Sequence, residues 1–207
     1  MKILLINGST HTKGCTYTAL TEAAKIFEAE GIDWELISLG PAVISDCMAR
    51  GKCRELGACV LNNDPVNEIL EKAKEADAFV FGTPVYYAHP SARLLSLLDR
   101  LFYAGCDHFR HKPGFAVASA RRAGTTASVD VLNKYFTFAE MPLVSSTYWN
   151  VVHGADADQV VRDLEGIQTV KNAALNMCWL LKCIELGKKQ GIHPPATPRK
   201  ERTNFIR

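Results

Sequence analysis

The sequence predicts a doubly wound α/β domain, with a central sheet of five parallel strands and helices on both faces. Short continuous apolar runs alternate with longer amphipathic stretches along the chain, and strands buried on both faces read as such runs. Each amphipathic stretch is long enough to be the crossover that neighbouring parallel strands require. No internal repeat or linker divides the sequence, so its 207 residues, 47% hydrophobic and 22% charged, read as a single domain over 1–193 with an extended tail over 194–207.

The first strand is Ile3 to Ile6. From about Thr16 to Glu30, Ala19, Leu20, Ala23, Ala24 and Phe27 recur at helical spacing, and Gly31 stops the helix. Trp34 to Leu39 forms the second strand. Gly40-Pro41 then opens an irregular stretch carrying Cys47, Cys53 and Cys59. Asp64 is placed to cap the next helix, with Pro65 at its first position, and that helix runs to about Glu75. Ala78 to Gly82 is the third strand, and Ser91 to Tyr103 a helix with Leu94, Leu95, Leu97, Leu98 and Leu101 inward. Phe115 to Ser119 is the fourth strand, Thr125 to Phe138 a helix, and Leu143 to Thr147 the fifth strand. A long helix starting at Asp158 carries Val161, Leu164, Ile167, Val170, Ala174, Met177, Leu181 and Ile184 along one side and ends at Gly187.

Charge and cysteine content narrow the function classes. The formal net charge is +2, with acids and bases interspersed, which argues against a nucleic-acid or acidic-membrane partner. The apolar start breaks at Asn7-Gly8, too early for a signal peptide, and no stretch is long enough to span a bilayer. Seven cysteines, an odd number without an export signal, fit a reducing cytoplasm better than a disulfide framework.

In an open parallel sheet ligands sit beyond the carboxyl ends of the strands, which directs attention to the loops after strands one, three and four. The first loop, Asn7 to Thr18, reads NGSTHTKGCTYT. Backbone N–H groups at the helix start, the hydroxyls of Ser9, Thr10, Thr12 and Thr16, and Lys13 can cradle a phosphate, with Gly8 and Gly14 letting the backbone curl. The spacing matches neither a P-loop nor the three-glycine dinucleotide fingerprint, leaving a seat for one monophosphate or an ordinary hydroxyl cap. The third loop runs from Gly82 through Thr83, Pro84, Val85, Tyr86, Tyr87, Ala88, His89 and Pro90 to Ser91. Its tyrosines and prolines suit a flat ring or simply cover the sheet edge. The fourth loop, Ser119 to Thr126, brings Arg121 and Arg122 beside helix N–H groups that can face electron-rich ring oxygens.

The blocks GSTHTKGCT in the first loop, DAFVFGTPVYYAHPSARLLSLLDR at residues 77 to 100, DLEGIQTVKNAALNMCWLLK at 163 to 182 and the closing TNFIR resemble the NADPH-dependent FMN reductase family of flavodoxin-like proteins. The resemblance implies strand order 2-1-3-4-5 and a noncovalently bound FMN. Its phosphate would lie on Ser9, Thr10, Lys13, Gly14, Cys15 and Thr16. Its ring would lie against Thr83, Pro84, Val85, Tyr86 and Tyr87, with Ser119, Arg121, Gly124 and Thr125 beside it. The resemblance further implies hydride transfer from NADPH or NADH to the flavin, and from there electrons to a flavin, quinone or other small acceptor. It implies a homodimer or homotetramer, and no side chain acting as an obligatory acid or base. A flavodoxin-type one-electron carrier is the competing class, although such carriers are strongly acidic and this chain is not.

The segment CMARGKCRELGAC also resembles the cluster motif of iron–sulfur flavoproteins, C-x2-C-x2-C followed by a fourth cysteine. Cys47, Cys53 and Cys59 match its first, third and fourth positions, and Arg50 holds the second. A guanidinium cannot replace a thiolate, so no metal site is expected there. His108 and His111 with Cys106 lack a clear fourth ligand. Cys15 is expected to make packing or backbone contacts, and Cys178 and Cys183 to be core residues on an apolar helix.

Overall fold

A computed structural model describes residues 1–198, 201 and 203. The strands are β1 Lys2–Asn7, β2 Asp33–Ser38, β3 Ala78–Tyr86, β4 His89–Pro90, β5 Gly114–Ala120 and β6 Val151–His153. The helices are α1 Cys15–Ala29, α2 Cys53–Leu56, α3 Val66–Glu75, α4 Ala92–Gly105, α5 Thr125–Phe138, α6 Ala157–Arg162 and α7 Leu164–Lys189, with a short 3-10 turn at Cys106–His108 after α4. The sheet order is β2-β1-β3-β5-β6, every neighbouring pair parallel, and β4 folds back antiparallel on the end of β3. With β4 set aside, this is the expected 2-1-3-4-5 order.

Alternation along β1 explains why its sequence is apolar throughout. Ile3 and Leu5 pack into the cluster formed with α1 and α7, while Leu4 and Ile6 enter the opposite cluster with α3, α4 and α5. β3 repeats the arrangement, with Val80 on the first face and Phe79 and Phe81 on the second. Phe81 stacks on Phe136 of α5, centroids 4.9 Å apart, and Phe102 stacks on Phe109 at 4.3 Å. Both faces are therefore dry, and the functional surface is confined to the loop edge of the sheet.

Several expectations are corrected. The edge strand is Val151–His153, not Leu143 to Thr147. Leu143 makes only an isolated parallel bridge to Gly114, and the following residues are held by side chains: Ser146 Oγ donates to Thr169 O (2.6 Å), Asn176 Nδ2 to Ser145 O (2.9 Å), and Asn172 Nδ2 to Thr147 Oγ1 (3.1 Å). The Ser146 hydroxyl bonded to α7, and the two α7 amides bonded to Thr147 and Ser145, thus take this segment out of the ladder. The long C-terminal helix is broken at Asp163, whose carboxylate caps α7 by accepting from Gly166 N at 3.0 Å. Cys183, on the same helix, is exposed rather than core. Pro65 sits at the N-cap of α3, outside its first position. Asp64 contributes only a long 3.3 Å bond from Val66 N, because its carboxylate is engaged by Arg100. In the tail, residues 194–198, 201 and 203 have no regular secondary structure, and Thr197 Oγ1 donates to Glu140 Oε2 at 2.7 Å. Residues 199, 200, 202 and 204–207, which include most of the TNFIR block, lie outside the described residues.

Candidate functional site

The loop after β1 is shaped by its own side chains. Buried Asn7 accepts from Ser9 N at 3.1 Å, and Ser9 Oγ accepts from His11 N at 3.0 Å, giving two successive side-chain turns. The loop is stitched to the β3 exit: Gly8 N donates to Gly82 O at 2.8 Å, and Ser91 Oγ donates to Gly8 O at 2.8 Å. A Cβ on Gly8 would stand 2.7 Å from Leu94 Cβ, so this close approach requires glycine. The chain then enters α1 through Gly14, which makes no side-chain cap. The first N–H groups of a helix have no partner within it, so those of α1 are left facing the loop.

Above this helix start lies a cleft of about 910 Å³. Of the residues expected in the site, Ser9, Thr10, Lys13, Gly14, Cys15, Thr16, Pro84, Val85, Tyr86, Ser119 and Arg121 line it. Thr16 Oγ1 and Ser119 Oγ share a hydrogen bond of 2.8 Å at its floor. Cys15 points its thiol at Gly154 O, 3.6 Å away, and burial, with a contribution from the Asp156 carboxylate, raises its pKa in spite of a backbone hydrogen bond that acts the other way. The thiol is therefore a contact group on a backbone carbonyl, with burial disfavouring its ionisation.

Thr83, Tyr87, Gly124 and Thr125 stand outside the cleft lining, for identifiable reasons. Thr83 is buried, and its hydroxyl donates to Pro84 O (2.8 Å) while accepting from Ser91 N (2.9 Å), which fixes the strand exit from behind. Tyr87 and Ala88 form the two-residue tip of the β3–β4 hairpin, with φ of 50° and 59°. Positive φ at both central residues is what a tight hairpin of this hand demands, and the tip leaves Tyr87 fully exposed. Gly124, at φ 86°, is the N-cap of α5, and a Cβ there would lie 2.5 Å from Ala88 Cα. Gly124 thereby seats the hairpin against α5, and buried Thr125 follows it into the helix.

A fourth wall was not anticipated. Gly154, Ala155, Asp156, Ala157 and Asp158, between β6 and the start of α6, also line the cleft. Asp156 Oδ1 accepts from Gln159 N (2.8 Å) and Gln159 Oε1 accepts from Ala155 N (2.9 Å). The Val151-Val152 pair, Gly154 and the Asp156-x-x-Gln159 spacing carried the signal for this strand exit, hidden once the strand was placed at Leu143 to Thr147.

The cysteine segment lies elsewhere. Cys47, Cys53 and Cys59 border a small cavity of about 30 Å³ together with Arg50 and Arg100. Among the described residues no three His, Cys, Asp or Glu side chains are grouped to hold a metal ion. His111 Nε2 lies 3.9 Å from Glu140 Oε2, and the pKa of His108 is lowered by burial and by nearby Lys74 and Lys112.

The family model for NADPH-dependent FMN reductases matches residues 1–156. An iron–sulfur flavoprotein of Methanocaldococcus jannaschii is 31% identical over 193 residues, covering 89% of this chain and all of that protein. An FMN-dependent NADPH-azoreductase of Staphylococcus saprophyticus is 35% identical over 114 residues, 55% of this chain and 57% of that one. A solved NAD(P)H:quinone oxidoreductase from Methanothermobacter marburgensis superposes with a TM-score of 0.65 at 14% identity over 86% of this chain and 96% of its own, a likeness of fold. With a glycine-entered helix start at the head of a 2-1-3-4-5 parallel sheet, and a family match over residues 1–156, the chain belongs to the NADPH-dependent FMN reductase family.

Proposed function

We propose that residues 1–193 form one FMN-binding unit that acts as an NAD(P)H-dependent oxidoreductase on a small acceptor. The observation that carries this reading is the N-terminus of α1, without a side-chain cap, opening into a cleft of about 910 Å³. Family membership makes FMN the group to test, and the residues fit it. The α1 amides, Lys13 and the hydroxyl of Thr10 supply donors for a phosphate. Pro84, Val85 and Tyr86 supply a stiff, partly apolar wall for a planar ring, and Asp156 and Asp158 give the lining between β6 and α6 acceptors suited to hydroxyl groups. The cleft volume lies within the range of roughly 300–1,000 Å³ usual for small-molecule and cofactor sites.

Bound FMN would supply the redox chemistry, accepting hydride from the reduced nicotinamide and returning electrons to the acceptor. The chain's residues bind and orient. Gly124 and Thr83 hold the Pro84–Tyr86 wall from behind, Thr16 and Ser119 lock the floor, and exposed Arg121 offers positive charge at the rim. No side chain is assigned an obligatory proton transfer.

The protein is proposed to work in the cytoplasm as a homodimer or homotetramer. No helix among the described residues is long and apolar enough to cross a membrane. A net charge of +2 favours the reductase over a strongly acidic one-electron carrier. Anaerobic addition of NADH or NADPH to the FMN-saturated protein should bleach the flavin absorbance. An unchanged spectrum with both nucleotides would overturn the proposal.

A further inference from the structure

We propose that this chain is a cluster-free flavoprotein in which the buried Arg100 guanidinium, in place of an iron–sulfur cluster, ties down the segment between β2 and α3. The M. jannaschii relative is an iron–sulfur flavoprotein by name, so the residues here have to be tested against a cluster.

They do not fit one. A four-iron cluster held by protein thiolates takes four of them, and the segment offers Cys47, Cys53 and Cys59, with Arg50 at the remaining position of the spacing. The thiols border a cavity of about 30 Å³, room on the order of one water molecule. The floor is taken by Arg100, whose Nε donates to Cys59 Sγ at 3.2 Å. Cys53 turns its thiol to Tyr103 O, 3.8 Å away and one turn further along α4. Two of the three sulfurs are thus committed to α4, and no convergent set of three metal ligands exists among the described residues.

What Arg100 does explains why the segment is ordered without a cluster. Its side chain is 1% exposed and the Asp64 carboxylate facing it 2%. Beyond Cys59, Nη1 donates to Ser45 O (3.2 Å) and to Asp64 Oδ2, and Nη2 donates to Leu61 O (3.0 Å) and Asp64 Oδ1 (3.1 Å). Every one of these partners lies between β2 and α3, a stretch whose only regular element is the four-residue α2. A segment that long with a single short helix needs an internal anchor to stay packed, and a planar fork of five donors can gather acceptors from points far apart in its sequence. Asn67 closes the far end, bonding both the N–H and the C=O of Cys59 at 2.8 and 2.9 Å. One consequence rests on the flavin reading above: with no second redox centre, electrons leave through the same cleft by which they arrive.

Iron and acid-labile sulfide are to be measured on the full chain purified anaerobically, and again after incubation with ferrous iron, sulfide and a thiol reductant. Far less than one iron per chain is expected in both samples, and about four irons with about four sulfides in either would overturn the cluster-free assignment. The tie is tested with Arg100→Met/Asp64→Leu, which removes both charges together and leaves neither stranded. Amide hydrogen exchange over residues 41–64 should accelerate about tenfold or more while β1 and β3 keep their protection; unchanged exchange over 41–64 would overturn the tie. If that variant does not fold, Arg100→Lys, which keeps the charge and loses the fork, is read the same way. FMN titration is a separate readout, so failure of the flavin reading leaves both answers standing.

Discussion

Thr16 Oγ1 and Ser119 Oγ stand 2.8 Å apart, both side chains buried, and join the first turn of α1 to the end of β5. β1 and β5 are not neighbours in the sheet; β3 runs between them. The bond therefore passes over β3, and it can do so because Gly82 lies beneath. A Cβ on Gly82 would come within 2.8 Å of Thr16 Cγ2 and Leu20 Cδ1. One glycine lets α1 settle onto the sheet, and one hydroxyl pair then fixes the helix whose N-terminus opens into the cleft.

Removing either hydroxyl strands the other in a buried place. Thr16→Val and Ser119→Ala should each cost about 1–3 kcal/mol. The double variant should lose less than the sum, since the second substitution removes the orphan left by the first. Urea unfolding of the four proteins measures the coupling. In parallel, fluorescence titration should show weaker FMN binding in both single variants, because the α1 amides lose their fixed aim.

Glycines with positive φ separate backbone strain from steric contact. Gly124 (φ 86°) would place a Cβ 2.5 Å from Ala88 Cα, whereas Gly51 (φ 75°) has nothing within 4 Å. Gly51→Ala should carry only the conformational cost, about 1–2 kcal/mol. Gly124→Ala should cost clearly more, and only it should also weaken FMN binding, because the Tyr87–Ala88 tip must move away from α5. Thermal melts and FMN titrations of the pair check this.

The parallel sheet and its three central strands were legible because burial on both faces writes an unbroken apolar run, as at Ile3–Ile6, whereas the strand order came from the family resemblance and not from periodicity. The place of the first loop at the cleft was legible because hydroxyls, glycine and lysine cluster at one strand exit. The fifth strand was not. Leu143-Val144 looks as strand-like as Val151-Val152, and only contacts from α7 to Ser145, Ser146 and Thr147 decide between them. Losing that strand hid Asp156 and Asp158. Thr83 and Gly124 lie in the expected loops but outside the cleft lining, and a sequence does not reveal which side of a loop a residue supports. Arg100 gave no signal at all: an arginine in an amphipathic helix reads as solvated until its acceptors arrive from a distant segment.

Asp163 joins the unanticipated wall to the rest of the molecule. Its Oδ2 accepts from His153 N at 2.6 Å and its Oδ1 from Gly166 N at 3.0 Å, so one carboxylate anchors β6 and caps α7. Asp163→Ala should cost about 1–2 kcal/mol, as loss of a helix N-cap does. FMN binding should also weaken, because Gly154 and Asp156 follow directly on β6. Asp163→Asn, which keeps the acceptor toward one partner, should fall between. Chemical denaturation with matched FMN titrations distinguishes the cap from the wall.

Cys178 supplies a test on the alkaline side. It is buried where α7 packs on α1, and burial, reinforced by the Glu30 carboxylate, pushes its pKa up from 9.0 to about 11. The folded chain thus holds this proton more tightly than the unfolded chain. Its contribution to stability is fully present below pH 9.0 and is lost as pH rises toward about 11, because the unfolded thiol ionises first. Stability measured by urea unfolding should therefore fall across that interval, and Cys178→Ala should show a shallower fall from a lower starting value. Alkylation gives the kinetic counterpart. Exposed Cys183 should react rapidly at pH 8, while Cys178, buried and protonated, should wait for unfolding. Equal rates for the two thiols in the native protein would mean that α7 does not seal against α1 as described.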